Sequence, residues 1–275
     1  MKSGQALINE IDSTLVPPGR AAFWWLGQMS FVVKAGGKII YIDPYLAPRP
    51  TRQVPPLLDP ALIQHADLVL TTHDHSDHLD PVAIVGIAQA SPQALFVCSQ
   101  MARAKMLNIG VSPGRIVSLD EGMAHIGDGI RIIPIAAKHE FFNRDPQLGH
   151  PYLMFVVEVG GVTLLHAGDT LCYDGLLAKL ARWKFDLIFL PINGRDAVRY
   201  ARRCLGNMTY QEAVDLAGEL QPGLTVPGHY EMFANNSQDP QPFADYMDVK
   251  YPNLRYWIGE HGEKVILQPL DDGQR

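Results

Sequence analysis

A short pattern occurs twice in this chain and limits the folds that it can adopt. The apolar segment Phe31–Gly37 ends in a Gly-Gly pair and is echoed by Phe155–Gly161. Each copy is followed by an apolar strand that ends near an aspartate, Asp43 or Asp169. Adjacent glycines supply the positive φ angles of a tight hairpin turn. We therefore expect two similar β-rich halves, each with a hairpin, within one domain over residues 1–275.

Helix signals alternate with strand signals along the rest of the chain. Asp80 followed by proline predicts a helix N-cap and a first-turn proline, with the helix running over Val82–Ala90. Thr209 and Glu212 form a capping-box pattern, which predicts a second helix through about Leu220. This alternation predicts an α/β sandwich whose strand-end loops gather on one side.

Composition excludes several classes of protein. The apolar content of 47% is ample for a large core, yet no run of 18 or more apolar residues occurs that could cross a membrane. The N-terminal segment over residues 1–18 contains Asn, Glu and Asp where a signal peptide needs a continuous apolar region. The net charge of −6 gives no attraction for polyanions, which disfavours nucleic-acid binding. The cysteines lack CxxC spacing and indicate no disulfide framework. We expect a cytoplasmic protein without nucleic-acid or membrane partners; the oligomeric state stays open, a homo-oligomer included.

A dense group of metal-ligand side chains follows one predicted strand. The strand over residues 67–72 runs directly into the hexapeptide His-Asp-His-Ser-Asp-His, which begins at His73. In a compact loop, His73 and His75 can point to one metal ion while Asp77 and His78 turn toward a second. Imidazole nitrogen with carboxylate oxygen is the ligand set of zinc, manganese or iron. A solvated polar loop is the alternative, and the apolar strand before the loop disfavours it.

Further ligand candidates stand after other strands. His139, Asp169 and His229 each follow a predicted apolar strand, so strand-end loops can bring them to the hexapeptide. His150 is the rival of His139, which is favoured because it directly follows a strand on the expected side. His166 lies within a strand, where hydrogen bonding beside the metal is favoured over ligation. The remaining histidines are expected at the surface: His65, His125 and His261.

Successive motifs resemble those of the metallo-β-lactamase superfamily, in order and over most of the chain. The HxHxDH element is the most specific of them. The resemblance implies the fold of that superfamily, a four-layer αβ/βα sandwich. The other motifs are Trp25-Leu26-Gly27, Ile42-Asp43-Pro44, His139, Ala167-Gly168-Asp169-Thr170 and Pro227-Gly228-His229-Tyr230.

The resemblance also implies two divalent ions, Zn²⁺ or Mn²⁺, and a chiefly structural role for Asp43. Two such ions would lower the pKa of a bridging water toward about 7 and polarise a substrate carbonyl. Asp77 would orient the hydroxide and take its proton. The implied ligands are His73, His75 and His139 for one ion, Asp77, His78 and His229 for the other, and Asp169 as a bridge between them.

Three segments resemble the branch of the superfamily that includes L-ascorbate-6-phosphate lactonase. The branch implies hydrolysis of a small anionic lactone or ester, such as a sugar-phosphate lactone. Phosphodiester hydrolysis and non-hydrolytic iron chemistry on the same fold are the alternatives. The segments are Asn193-Gly194-Arg195-Asp196, Gly206-Asn207-Met208-Thr209 and His229-Tyr230-Glu231-Met232-Phe233.

A run of arginines after the strand over residues 187–192 is the candidate recognition element for an anionic substrate. Arg195, Arg199, Arg202 and Arg203 recur at helical spacing and could clamp a phosphate or carboxylate. A solvated helix face or a subunit contact explains the same spacing equally well. The predicted substrate-binding residues are Asn193, Arg195, Arg199 and Tyr230.

Overall fold

Alternating side chains along the strands divide the molecule into layers. In the strand Ala21–Gly27, Phe23 and Trp25 belong to a core shared by two β-sheets, whereas Trp24 packs among the helices on the other side. Successive side chains of a strand point to opposite faces of its sheet, which explains this division. The computed structural model describes residues 1–268 of the chain.

Two sheets form the centre of the sandwich. The strands, numbered along the chain, are β1 (Ala21–Gly27), β2 (Ser30–Ala35), β3 (Lys38–Ile42), β4 (Leu68–Leu70), β5 (Leu95–Ser99), β6 (Ile116–Leu119), β7 (His125–Gly127), β8 (Ile130–Ala136), β9 (Leu153–Val159), β10 (Val162–His166), β11 (Leu187–Pro191), β12 (Thr225–Gly228) and β13 (Lys264–Ile266). The first sheet has the order β13-β1-β2-β3-β4-β5-β6, and the second has the order β12-β11-β10-β9-β8-β7. Each half of the chain therefore builds one sheet, and β13 returns to the first.

Helices cover the outer face of each sheet. They are α1 (Gly4–Ser13), α2 (Pro81–Ala90), α3 (Arg103–Asn108), α4 (Leu176–Leu180), α5 (Ala197–Ala201), α6 (Tyr210–Leu220) and α7 (Gln241–Lys250), with short 3₁₀ turns at Pro60–Leu62 and Pro113–Arg115. Apolar side chains of α1, α2 and α3 pack on the first sheet, and those of α4, α6 and α7 pack on the second. The predicted four-layer αβ/βα sandwich is confirmed. Within residues 1–268, no helix is long and apolar enough to cross a membrane.

Aromatic side chains join the two sheets across the shared core. The ring of Phe31 on β2 stacks on that of Phe189 on β11, with centroids 4.0 Å apart. Phe23 on β1 meets the same Phe189 ring edge to face at 5.5 Å. Such contacts add about 0.5–1.5 kcal/mol each to the stabilisation from burying the rings. The sheets are thus held together by a dry apolar layer.

Both predicted Gly-Gly hairpins form, and their turns touch each other. Gly36 and Gly37 join β2 to β3, while Gly160 and Gly161 join β9 to β10, all with positive φ. A Cβ added to Gly160 would lie 2.4 Å from the Cα of Gly36. All four glycines suit the turn conformation, and Gly36 and Gly160 are also required for the close approach of the two halves.

Both predicted helix starts are also confirmed. The Asp80 side chain caps α2 by accepting from the amide of Val82. Its second carboxylate oxygen accepts from the amides of Leu46 and Ala47, at 2.9 and 2.6 Å. A single buried carboxylate thus fixes the loop after β3 against the helix that follows the histidine hexapeptide.

Candidate metal centre

The ends of strands from both sheets bring the candidate ligands together. The hexapeptide follows β4 of the first sheet, whereas the other candidates follow β8, β10 and β12 of the second. Strand-end loops of an α/β sandwich are the usual place for a site, because side chains from several strands meet there. Ligand atoms lie within 4.8 Å of one another in three groups: His73 with His75 and His139; His73 with His78 and Asp169; Asp77 with His78 and His229.

Asp169 lies between the two groups of histidines. One carboxylate oxygen is 3.3 Å from Nε2 of His229 and 3.5 Å from Nε2 of His139. The other oxygen is 3.4 Å from Nε2 of His78. The carboxylate therefore faces ligand candidates on both sides, which is the position that a bridging ligand requires.

Several polar atoms at this centre are buried without hydrogen-bond partners. Among residues 1–268, Nε2 of His73, Nε2 of His78 and Oδ1 of Asp169 are in this state. Each such atom costs about 1–3 kcal/mol when it is left unpaired. A cation satisfies imidazole nitrogens and a carboxylate oxygen together, and these donors suit zinc, manganese or iron. The residues present therefore fit a metal centre.

The surroundings of three histidines favour the neutral form of the ring, which is the form that binds a metal. Burial is the largest cause that lowers the pKa of His73, and the neighbouring charges of His78 and His75 add to it. Burial likewise lowers the pKa of His75 and of His139. A metal-binding imidazole must be deprotonated, so low pKa values favour the ligand form at neutral pH.

The centre concentrates negative charge around His78. Burial opposes a charge on this ring, but the carboxylates of Asp169, Asp43 and Asp77 outweigh burial and raise its pKa well above the usual value. Burial also opposes ionisation of Asp169, yet His229 and His78 lower its pKa well below the usual value. The carboxylates thus attract positive charge to the centre, as a metal site does.

Asp43 holds Thr72 and His78 in position through hydrogen bonds. Its carboxylate accepts from the amide and hydroxyl of Thr72, both at 2.7 Å. It also lies 2.7 Å from Nδ1 of His78 and 3.1 Å from Nε2 of His166. These contacts turn Nε2 of His78 toward the centre, as a carboxylate behind a metal-binding histidine commonly does. His166 is buried in β10 beside Asp43, as its position within a strand predicted.

His139 and His150, the two candidates for one ligand position, have different partners in the structure. Nδ1 of His139 donates to the carbonyl oxygen of Gly206 at 3.0 Å, which leaves Nε2 facing Asp169. His150 is paired instead with Asp120, at 2.8 Å between Nδ1 and Oδ1. His139 is thus the histidine that the fold brings to the ligand groups.

The expectation that His261 lies at the surface is wrong. Its side chain is buried, and its ring stacks on Trp25 with the centroids 4.0 Å apart. The turn at Gly262 brings the C-terminal strand beside β1, because the Gly262 amide donates to the carbonyl of Trp25. Nothing in the sequence around His261 indicates this contact, which joins residues far apart in the chain.

A pocket of about 690 Å³ opens over the ligand candidates. His75, Asp77, His139, Asp169 and His229 line one side of it. The rest of the lining includes Arg203, a member of the run of arginines noted in the sequence, and residues that the sequence had not singled out for the site, such as Tyr45, Arg49 and Asn236. A further cavity of about 630 Å³, between the turns over residues 126–131 and 158–163, contains none of the predicted ligands.

The structure brings neither Arg195 nor Arg199 to the pocket wall, although Arg203 of the same predicted run lines it. Arg195 forms a two-pronged ion pair with Glu212, at 2.6 and 2.8 Å. Arg199 pairs with Asp196 at 2.8 Å and donates to the carbonyl of Asn193. The helix α5 has only five residues, so the shared basic face that the spacing predicted does not form.

The other two predicted substrate-binding residues lie behind the pocket wall. Asn193 is buried and donates from Nδ2 to Oδ1 of Asn236 at 2.9 Å. Asn236 itself lines the pocket, so Asn193 holds a lining residue in place. Tyr230 is buried, with its ring 4.6 Å from that of Trp25. Neither side chain is part of the lining.

Comparison with known proteins identifies the family. Residues 38–230 match the family described as the Beta-lactamase superfamily domain. A metal-dependent hydrolase from Thermococcus kodakarensis is 30% identical over 250 residues, covering 90% of this chain and 96% of that protein. The chain belongs to the metallo-β-lactamase superfamily. It is a metal-dependent hydrolase of that superfamily, as the HxHxDH element and its ordered partners indicated.

Two further similarities extend over nearly the whole chain. A protein described as a probable L-ascorbate-6-phosphate lactonase from Escherichia fergusonii is 25% identical, covering 98% of this chain and 86% of that protein. The solved structure of a metallo hydrolase from Ignicoccus hospitalis has a TM-score of 0.70 and 21% identity, covering 91% of this chain and 100% of that chain. The structural similarity shows the superfamily fold.

Proposed function

We propose that this superfamily member uses two divalent ions, Zn²⁺ or Mn²⁺, to open a small anionic lactone or ester, with sugar-phosphate lactones as the substrate class. One observation carries the proposal: the pocket over the ligand candidates also contains two arginines, Arg49 and Arg203, that form no salt bridge with a carboxylate among residues 1–268. The similarity to a protein described as a probable sugar-phosphate lactonase supports the same substrate class.

The geometry supports a division of the ligands between two ions. Bound at these residues, divalent ions would lower the pKa of water toward about 7 and polarise a carbonyl oxygen. Asp169 faces both groups and is proposed as the shared ligand. The proposed sets are His73, His75 and His139 for the first ion and Asp77, His78 and His229 for the second.

Asp77 is the proposed general base. Its side chain is about one-fifth exposed, at 21%, and it lines the pocket, so a substrate or water can reach it. The side-chain amide of Gln28 lies 2.8 Å from one of its oxygens and limits how far the carboxylate can turn. A carboxylate that lines the pocket can accept the proton of the attacking water and return it to the leaving alkoxide.

Arg49 and Arg203 are proposed to recognise the anionic group of the substrate. Both are exposed and line the pocket. Unlike Arg195 and Arg199, they form no salt bridge within the part of the chain that the structure describes. A guanidinium without a carboxylate partner can form charge-assisted, two-pronged hydrogen bonds with a phosphate or carboxylate. In a chain of net charge −6, this local positive charge favours an anionic ligand.

The test compares arginine variants on matched substrates. Wild type, Arg49→Ala, Arg203→Ala and the control Arg202→Ala are loaded with Zn²⁺ or Mn²⁺. Each is assayed on a phosphorylated lactone and on the same lactone without its phosphate. We expect either pocket variant to lower kcat/KM for the phosphorylated lactone about 10- to 100-fold, the scale for losing one charge-assisted partner, and to change the neutral lactone little. Arg202 is exposed and outside the pocket lining, so its variant should behave as wild type.

Two outcomes would contradict the proposal. If the metal-loaded enzyme cleaved a small phosphodiester and opened no lactone or ester, the reaction would be phosphodiester hydrolysis instead. If it opened lactones but Arg49→Ala and Arg203→Ala kept the preference for the phosphorylated substrate, the anion would be recognised elsewhere.

A further inference from the structure

Gln28 occupies a rigid position beside the second group of ligands. It lies in the tight turn between β1 and β2, with a φ of 54° and a fully buried side chain. Its carbonyl oxygen accepts from the indole of Trp25 at 2.9 Å and from the backbone amide of His229 at 3.1 Å. These two hydrogen bonds hold the Gln28 backbone in one position. The side-chain amide can therefore reach only the atoms close to this turn.

The Gln28 amide meets two of the proposed ligands at once. Its Nε2 lies 2.8 Å from Oδ2 of Asp77 and 2.9 Å from Nε2 of His229. Its Oε1 is buried without a hydrogen-bond partner among residues 1–268. The amide therefore points one end at the atoms that would bind the second ion and leaves its other end unsatisfied.

The two ends of the amide exchange places when the terminal torsion turns by 180°. Amide oxygen and nitrogen are nearly equal in size, and their assignment follows from the surrounding hydrogen bonds. If Asp77 and His229 direct their lone pairs at a cation, an NH₂ group between them faces that cation unfavourably. The rotated amide presents Oε1 instead, which is an acceptable ligand for a hard divalent ion.

The distances match those between neighbouring ligands of one ion. Ligands at right angles on an ion with bonds of about 2.0–2.1 Å lie about 2.9 Å apart. The measured spacings from the Gln28 amide to Asp77 and to His229 are 2.8 and 2.9 Å. These spacings fit an additional ligand as well as a hydrogen-bond donor, and the variants described below separate the two roles.

We propose that Gln28 is a ligand of the second ion through Oε1, an inference that rests on the two-ion function proposed above. With Asp77, Asp169 and two histidines, the second site then has five protein donors, three of them oxygens. Zinc strongly favours four-coordinate sites, whereas manganese favours oxygen-rich octahedral sites. Gln28 therefore biases the second site toward Mn²⁺, while the first site, with three histidines and the shared Asp169, has no such bias.

The test measures metal binding directly. Wild type, Gln28→Met and Gln28→Glu are stripped of metal and titrated with Mn²⁺ and with Zn²⁺ by calorimetry. We expect Gln28→Met to weaken the second equivalent of Mn²⁺ at least about tenfold, to weaken the second Zn²⁺ less, and to leave the first equivalent unchanged. Gln28→Glu supplies an oxygen of the same reach and should bind the second Mn²⁺ at least as tightly as wild type.

The two variants separate a ligand from a hydrogen-bond donor. If Gln28 only donates to Asp77, Gln28→Glu places two carboxylates together and should weaken metal binding as much as Gln28→Met does. Equal weakening in both variants, or an unchanged second equivalent in Gln28→Met, would overturn the inference. A wild type that binds one ion would instead overturn the two-ion function. Thermal unfolding of the metal-free proteins checks folding, and the isosteric Gln28→Glu keeps the test open if Gln28→Met does not fold.

Discussion

At the residue scale, neighbouring charges decide what each histidine of this chain can do. His78 is surrounded by carboxylates, which raise its pKa and hold a positive charge at the centre. Burial is the largest cause that lowers the pKa of His73, and the neighbouring His78 and His75 lower it further. Without an ion, the carboxylates therefore favour the protonated form of His78, and a bound cation would take the place of that proton, whereas His73 is already in the neutral form that binds a metal.

His261 leads to a prediction about stability against pH. Burial, then the charges of Arg52 and the N-terminus, lower its pKa to about 4. Above pH ~6.5, the ring is neutral in both folded and unfolded chains and contributes no pH dependence. Below that pH, the unfolded chain takes up a proton that the folded protein refuses, so stability falls until pH reaches about 4.

The variant His261→Phe should remove this pH dependence while keeping the stack on Trp25. We expect the wild type to lose about 2–3 kcal/mol more stability than the variant between pH ~6.5 and pH ~4. Urea unfolding at a series of pH values measures the difference, and titrations shared by the two proteins cancel. Parallel stability curves for the two proteins would show that His261 titrates normally.

At the element scale, the paired hairpins hold the two halves of the chain together. The turns at Gly36 and Gly160 pack backbone against backbone, which a side chain at either position would prevent. Gly37 adopts the same left-handed conformation, with a φ of 76°, but a Cβ there would meet no atom of the described part of the chain within 4 Å. A substitution at Gly37 therefore serves as a control, because it introduces backbone strain without a steric conflict.

The hairpin prediction compares Gly160→Ala with Gly37→Ala. Gly37→Ala should cost about 1–2 kcal/mol, the penalty for an L-residue in the left-handed region. Gly160→Ala carries the same penalty and also forces apart the two turns, since its Cβ would lie 2.4 Å from Gly36. We expect it to cost at least about 1–2 kcal/mol more. Chemical denaturation measures both, and equal losses would mean that the contact between the halves is dispensable.

At the scale of the whole molecule, the core and the metal centre are separate parts of the structure. The dry layer between the sheets contains Phe23, Phe31 and Phe189, whereas the proposed ligands stand beyond the strand ends. Folding of the sandwich buries apolar surface without help from a cation. The metal-free centre, however, brings together several polar atoms that have no hydrogen-bond partner within residues 1–268, which costs stability that bound metal would restore.

We therefore expect the metal-free protein to remain folded and to gain stability on metal addition. Each ion present at 100 times its Kd should add about 2.7 kcal/mol, and about two ions should bind per chain. Calorimetric unfolding with and without a chelator, together with metal analysis, measures both quantities. Asp169→Ala should remove most of the gain, and His166→Ala should remove less. An unfolded metal-free protein, or a stoichiometry at or below one after reconstitution, would contradict this expectation.

Patterns between near neighbours in the chain determined much of this protein. Asp80 before a proline and Thr209 before Glu212 start helices where predicted, since a cap depends on residues within one turn. The glycine pairs form their hairpins because two residues specify the turn. The HxHxDH element with later strand-end ligands indicated the superfamily, since strand ends of this architecture meet on one side.

Only the tertiary structure decided which distant side chains meet. His139 rather than His150 reaches the centre because Asp120 holds the latter elsewhere. Arg49 rather than Arg195 lines the pocket, because a glutamate on α6 holds Arg195. These outcomes depend on loops packing against partners tens of residues away, and the packing energy of such contacts leaves no periodic or local signal in the sequence. Gln28 beside Asp77 is the same case: a tight turn and a histidine loop become neighbours only when both sheets have formed.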